Sequence, residues 1–297
     1  MTDGSTQPSP QEALIRLAAL GVLTGLLTAL VVLGFRWTIE SGQALFLPEG
    51  RIGDYESLAP WLRFLIPLAG GLLVGLLFQR LPVSVRSMGI AHVIERVHSP
   101  IHPGQLPLRN AVAQFVGGAL AIVSGQSVDR EGPGVHLGAA TGSAVSRRLA
   151  DRGEQHDATL AACGVAASIA AAFNTPLAGV LFVIEVIRIE YAVSRFMPVI
   201  LAAVVGAVAS RVTYGDAPAF IVPALSLASL WELPYLVLVG CIIGVLVLLF
   251  VRVLQYVAWR TLEWPVWTAF GAAGLMTGTC GLGAPQVLGI SYDTSSA

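Results

Sequence analysis

The sequence predicts an all-α, polytopic membrane protein in which some helices are broken or re-entrant. Three observations carry this expectation. Mean hydropathy is +0.74 and only 12% of residues are charged, against about 25% in soluble domains, so water cannot solvate most of the surface. Several apolar segments reach the ~20 residues that a crossing requires. Two further apolar stretches are interrupted, at Gly132-Pro133 and at Asn174-Thr175-Pro176. Such interruptions persist at membrane depth only where they are buried in protein or line a cavity, and they point to a binding region.

In chain order, residues 1–11 form a polar tail. It has no basic region or cleavage site and does not resemble a signal peptide. Leu14–Gly34 is the first span, with Arg36 and Trp37 at its far interface. Ser41–Pro60 is a polar loop, and Trp61–Phe78 is a Gly-rich second span of the kind that packs closely in lipid. Arg80 and Arg86 follow it, which places them and the N-terminal tail in the cytoplasm. Ser87–His98 is too short to span and reads as a half-helix entering from that side. His98–Pro107 is a loop with three prolines, and Leu108–Ser124 is apolar again. Val135–Leu149 is rich in Gly and Ala, Asp151–Asp157 is a polar connection, and Ala161–Ile187 is an apolar stretch broken at Asn174-Pro176. Phe196–Ala209, Leu233–Ala258 and Trp264–Leu282 give three more spans, with a loop at Asp216–Pro223.

The stretch Ser124–Gly138, SGQSVDREGPGVHLG, sets the charged triplet Asp129-Arg130-Glu131 inside this apolar chain. Proline in a first helical turn loses no hydrogen bond, and glycine lets backbone approach a ligand. A helix beginning here aims unpaired N–H groups and about half a positive charge at whatever precedes it. That is an anion site. Glu131 stands at its mouth, is itself an anion and can compete with a mobile one. An intramembrane carboxylate is costly and therefore functional by default. A surface ion pair with the adjacent Arg130 is disfavoured by their spacing.

Other chemistries fit poorly. The net charge of −1 implies no nucleic-acid partner, and all 17 basic residues are arginine. Cys163, Cys241 and Cys280 lie far apart in apolar surroundings and read as buried small residues. His92, His98 and His102 do not share a helical face, because Pro100 stands between His98 and His102; no metal or other cofactor is expected. An intramembrane enzyme using Glu131 as acid or base would need a second catalytic group, and neither GxSxG nor HExxH is present.

Two motifs resemble the CLC family of chloride channels and chloride/proton exchangers. Asp129-Arg130-Glu131-Gly132-Pro133 is similar to the family's GREGP. Gly164–Glu185, GVAASIAAAFNTPLAGVLFVIE, is similar to its GxAAxxAAxFNxPLAGxLFxIE. The resemblance runs from about Leu14 to the C-terminus. It implies an inverted-repeat architecture, of which this chain looks like the first repeat plus the start of the second. The later GGIFAP-like motif and anion-contacting tyrosine are not in the sequence. The resemblance also implies that Glu131 is a gate and that the Gly132 and Gly134 amides hold the anion.

Three departures qualify what the resemblance implies. The GSGIP motif corresponds to Ser87-Met88-Gly89-Ile90-Ala91, so Met88 replaces a serine donor. A thioether donates nothing, and the Gly89 and Ile90 amides must serve instead. The exchangers' proton-relay glutamate falls on Val186, which cannot ionise; this favours a passive, voltage-gated type of chloride channel over a proton-coupled exchanger. The leading Gly of GREGP is Asp129, which alters the charge at the outer vestibule. An inactive truncated homologue is the remaining alternative. The implied partners are chloride, the lipid bilayer and a second copy of the chain, with a homodimer face around Leu177–Ile187 and Phe196–Ala209. The implied setting is the bacterial inner membrane, and residues 1–297 read as one transmembrane domain. His136 matches a polar packing position behind the filter.

Overall fold

The computed structural model describes residues 9–48, 51–99, 104–150, 154–188, 193–216 and 229–290. Among them the chain is helical, without strands. The expected loop at 217–223, the prolines and His102 at 100–103, the first eight residues of the tail and the last seven of the chain lie outside the described residues.

Helix α1 (Pro10–Ala44) is 35 residues long, well beyond the span expected at Leu14–Gly34. At its start, Ser9 accepts from the Glu12 amide while Glu12 Oε2 accepts from the Ser9 amide, a reciprocal cap that satisfies two orphan donors. At its far end Arg36 does not stop the helix. Its Nε lies 2.6 Å from Glu40 Oε1, one turn on, so the pair carries the helix past the interface. Helix α2 (Pro60–Arg80) follows, then a single turn α3 (Val83–Arg86) and the short α4 (Gly89–Val97). The half-helix expected at Ser87–His98 is thus α4, entered through an extended Ser87-Met88.

Helix α5 (Leu108–Val123) and α6 (Glu131–Leu149) flank the charged triplet, and α7 (Glu154–Phe173) starts inside the stretch expected to be a polar connection. Asn174 then adopts φ +58°, a left-handed conformation that ends helices and that Asn tolerates. After this break come α8 (Pro176–Phe182) and one π-turn, Val183–Ile187. Helices α9 (Val193–Tyr214), α10 (Glu232–Thr261) and α11 (Val266–Gly283) complete the described chain. Five helices, α1, α2, α7, α9 and α10, are long and apolar enough to cross a membrane. The protein is an integral, multi-pass membrane protein.

The core lies where α6 and α7 cross, covered by α1 and α9. Thirteen consecutive residues of α7, Thr159–Ala171, are buried, six of them Ala and one Gly, so the neighbouring backbones approach closely. Gly21 and Gly25 of α1 let Pro198 and Ala202 of α9 seat against them: an added Cβ would come within 2.8 and 2.7 Å of their carbonyl oxygens. Gly138 and Gly164 meet backbone to backbone at the α6–α7 crossing. The α2–α11 pair forms a second layer, built on Gly71, Gly75, Gly274 and Gly278.

Helix α10 is different. None of its 30 residues is buried, although it is apolar all round. Cys241 on α10 and Cys280 on α11 are exposed, and only Cys163 is buried. Two of the three cysteines therefore depart from the buried positions expected, because their helices present those faces outward.

A small second core of Leu47, Tyr55, Leu58 and Leu288 braces the corner before α6. The Tyr55 hydroxyl accepts from Gln43 Nε2 (3.0 Å) and donates to the Ile122 and Val123 carbonyls (2.9 and 3.0 Å). The ring lies under Gly125, whose φ of +74° suits glycine. Burial pushes the Tyr55 phenol up to about 12. A folded-state value above the unfolded one contributes stability below pH 10 that is lost as pH rises through about 12. Tyr55→Phe is expected to lower stability by about 1–3 kcal/mol at neutral pH, because Gln43 and two buried carbonyls lose their partner. It should also flatten the loss of stability between pH 10 and 12. Thermal unfolding in detergent across that range checks both effects.

Candidate functional site

Glu131 is the first residue of α6. The helix starts there because Gly134 N–H donates to the Arg130 carbonyl (3.0 Å), opening the i→i−4 ladder, while Pro133 needs no donor partner in the first turn. Glu131 lines a cleft with Phe35 and Arg36 of α1, Arg130 and Gly134 beside it, and Ser168 of α7. Arg130 Nη2 donates to the Ala172 carbonyl (3.3 Å), one of the last carbonyls of α7 and a favourable place for a cation. On the other wall, Arg36 is paired with Glu40 and lies 3.6 Å over the Tyr214 ring, and the Tyr214 hydroxyl donates to Glu40 (3.2 Å). Two guanidinium groups thus line the same cleft as the Glu131 carboxylate at a helix N-terminus. The cleft can hold a small anion, or the carboxylate itself.

The structure places the four expected amides as follows. Gly132 N–H donates to Asp129 Oδ1 (3.3 Å), so Asp129 acts as a side-chain cap on the first turn of α6. Gly134 N–H is spent on Arg130. Gly89, with φ +74°, opens α4 and donates to Gln114 Oε1 of α5 (2.9 Å). Ile90 is half-buried in the same first turn, where amides have no intrahelical acceptor. Met88 is the residue before α4 and provides no side-chain cap. Asn110 fixes this entry by donating from Nδ2 to the Ser84 and Ser87 carbonyls, both at 3.0 Å. Val186 sits in the π-turn, half-buried, and is not part of the Glu131 cleft. Glu185 beside it is exposed.

Sequence reasoning missed Gln114, Asn110 and the capping role of Asp129. The first two carried a signal: they are the uncharged polar residues inside the apolar α5, and buried amides need partners. His92 and His136 meet behind the two helix starts, their rings T-shaped with centroids 5.2 Å apart. No group of three or more potential ligands that could hold a metal occurs among the described residues.

With this geometry in place, comparison with known proteins is decisive at the family level. Residues 70–297 match the voltage gated chloride channel family. The chain belongs to that family. It is 28% identical over 281 residues to a putative chloride channel protein ClcB-like from Ralstonia nicotianae, covering 92% of this chain and 65% of that protein. It is 32% identical over 255 residues to chloride channel protein CLC-e of Arabidopsis thaliana, covering 80% and 34% respectively. It therefore spans less than two thirds of the length of either. Against a voltage-gated ClC-type chloride channel ClcB of Escherichia coli it is 27% identical over 297 residues, covering 95% of this chain and 68% of that protein.

Among solved structures, a CLC-type fluoride/proton antiporter superposes with a TM-score of 0.76 at 23% identity, over 95% of this chain and 68% of the other. A slow cyanobacterial Cl−/H+ antiporter gives 0.73 at 22% identity, over 92% and 64%. These are likenesses of fold, and they agree with the all-α CLC-type architecture expected from the sequence.

Proposed function

We propose that this protein serves gated transmembrane transport of chloride along a CLC-type pathway, with Glu131 as the gate. The observation that supports this best is the position of Glu131: first residue of α6, in a cleft with Arg36 and Arg130. An ionised Glu131 occupies the helix N-terminus and excludes the mobile anion. When neutralised or displaced it leaves the site to chloride. Gly132, Gly89 and Ile90 are the amides proposed to hold the ion, with Gly132 released from Asp129 and Gly89 from Gln114 as it arrives; Gly134, whose N–H is held by the Arg130 carbonyl, is proposed to give close approach of backbone instead of a donor. Val186 supplies no proton site, which favours a passive channel over a proton-coupled exchanger. Family membership favours ion transport over any enzymatic role.

The proposed assembly is a homodimer in the bacterial inner membrane, with residues 1–297 in one transmembrane domain. Leu177 and Leu181 of α8, with Met197, Val204 and Val208 of α9, are exposed at 44–70% and are apolar residues of the expected kind for such a face.

The test is chloride efflux from liposomes holding the full-length protein, with proton uptake recorded in the same vesicles and fluoride run as a second anion. Chloride efflux without linked proton movement is the expected result. Proton movement locked to chloride would replace the channel by an exchanger whose proton route bypasses Val186. Efflux of fluoride but not chloride would overturn chloride as the cargo, a comparison made pointed by the missing donor at Met88.

A further inference from the structure

The two helices whose N-termini carry the candidate amides are joined behind those termini by a line of three side chains. Arg96 Nε donates to His92 Nε2 (3.2 Å), and His92 Nδ1 lies 3.3 Å from His136 Nε2. His92 is 5% exposed and His136 is fully buried. His136 Nδ1 is buried without a hydrogen-bond partner.

The direction of this line follows from elementary chemistry. An arginine guanidinium only donates, so His92 Nε2 must be the unprotonated, accepting nitrogen. The ring proton of neutral His92 is then on Nδ1, which donates to His136 Nε2. That nitrogen must accept, and so the proton of His136 is on Nδ1. A single unvarying cation at one end thus sets both tautomers. A second proton has no good place: on His92 Nε2 it would face the Arg96 guanidinium, and on His136 Nε2 it would face the His92 N–H.

The line also sits where it can set geometry. His92 is three residues after Gly89 and His136 five after Glu131, about 4.5 and 7.5 Å along their helices at ~1.5 Å per residue. Helix α4 has only nine residues, too few to hold itself in place. Hydrogen bonds in a low-dielectric interior are strong and polarise one another.

We propose that Arg96, His92 and His136 form a one-directional polar strut, and that His92 and His136 are positioning residues for the anion site between α4 and α6. This rests on the reading of that site given above. It assigns the histidines neither to a metal nor to a proton path. Arg96 occupies the nitrogen through which a proton would enter His92 from the α4 C-terminal side.

The experiment has two readouts on the full-length protein in lipid. First, 15N NMR of histidine-labelled protein near neutral pH reports each tautomer, with the signals assigned by loss in His92→Gln and His136→Gln. Both rings are expected as Nδ1–H; an Nε2–H ring at either position overturns the strut. Second, chloride affinity is measured by calorimetry. Gln at position 92 can accept from Arg96 and donate to His136, so His92→Gln is expected to bind within about twofold of native. His92→Leu leaves a donor and an acceptor unpaired and is expected to weaken binding about tenfold. Equal affinity in the two variants, both folded, overturns the positioning role. Absence of chloride binding by the native protein overturns the site reading, and the positioning role with it, whatever the tautomers.

Discussion

Glu131→Gln is expected to raise chloride flux at neutral pH by roughly ten- to thirtyfold and to remove most of its dependence on pH. A carboxylate at a partly buried helix N-terminus is held there by up to about 2 kcal/mol, and the amide keeps its shape while losing its charge. The neutral side chain competes far less for the α6 amides, so the anion occupies the site at all pH values. Arg36 and Arg130 are expected to stay in place, since Glu40, Tyr214 and the Ala172 carbonyl engage them independently of Glu131. The measurement is efflux from liposomes between pH 4 and 8, with native protein alongside. An unchanged pH profile in the variant would sink the gate assignment and leave the cleft as a structural ion cluster.

The second large effect is on folding. Gly164→Val is expected to cost about 3 kcal/mol or more, enough to lose the native fold in detergent. At the α6–α7 crossing a Cβ on Gly164 falls within contact distance of the Gly138 carbonyl oxygen and carbon. Both elements are backbone there, so neither yields by rotating a side chain, and overpacking of this kind is strongly destabilising. Gly240→Val on α10 is the matched control. Nothing lies within 4 Å of a Cβ at Gly240, and a change of about 0.5 kcal/mol or less is expected there. Thermal unfolding of the two variants in the same detergent decides the matter, and equal stability would mean that the helices do not cross as closely as described. Gly164→Ala already adds the clashing Cβ and is expected to destabilise in the same direction.

The sequence made some of this legible for identifiable reasons. Glu131-Gly132-Pro133 marked a helix start because proline and a carboxylate suit a first turn, and α6 begins at Glu131. Asn174-Thr175-Pro176 marked a break, and the chain breaks there through a left-handed Asn174. What could not be read is whatever depends on a partner distant in sequence. Arg36 looked like the end of a span, yet Glu40 and Tyr214 keep its helix going to Ala44. His92 looked like one of three unrelated histidines, and its partner stands 44 positions away. Gly89 looked like a ready anion ligand, but its amide is answered by Gln114 on the next helix. Periodicity and composition report which residues leave water. They do not report which of them meet.

Asp129 has a consequence that belongs to kinetics and concentration more than to structure. Its carboxylate is three residues from the amide it caps, so it is a ligand on a very short leash. A group tethered this way meets its partner at an effective concentration of millimolar or more, however dilute the surrounding solution. On the proposed reading, an arriving anion finds one seat taken by a rival that never diffuses away. It must be abundant enough to displace that rival, or else use the amides Asp129 does not reach. If α6 holds an anion as proposed, the threshold for engaging it is set by the chain's own covalent connectivity.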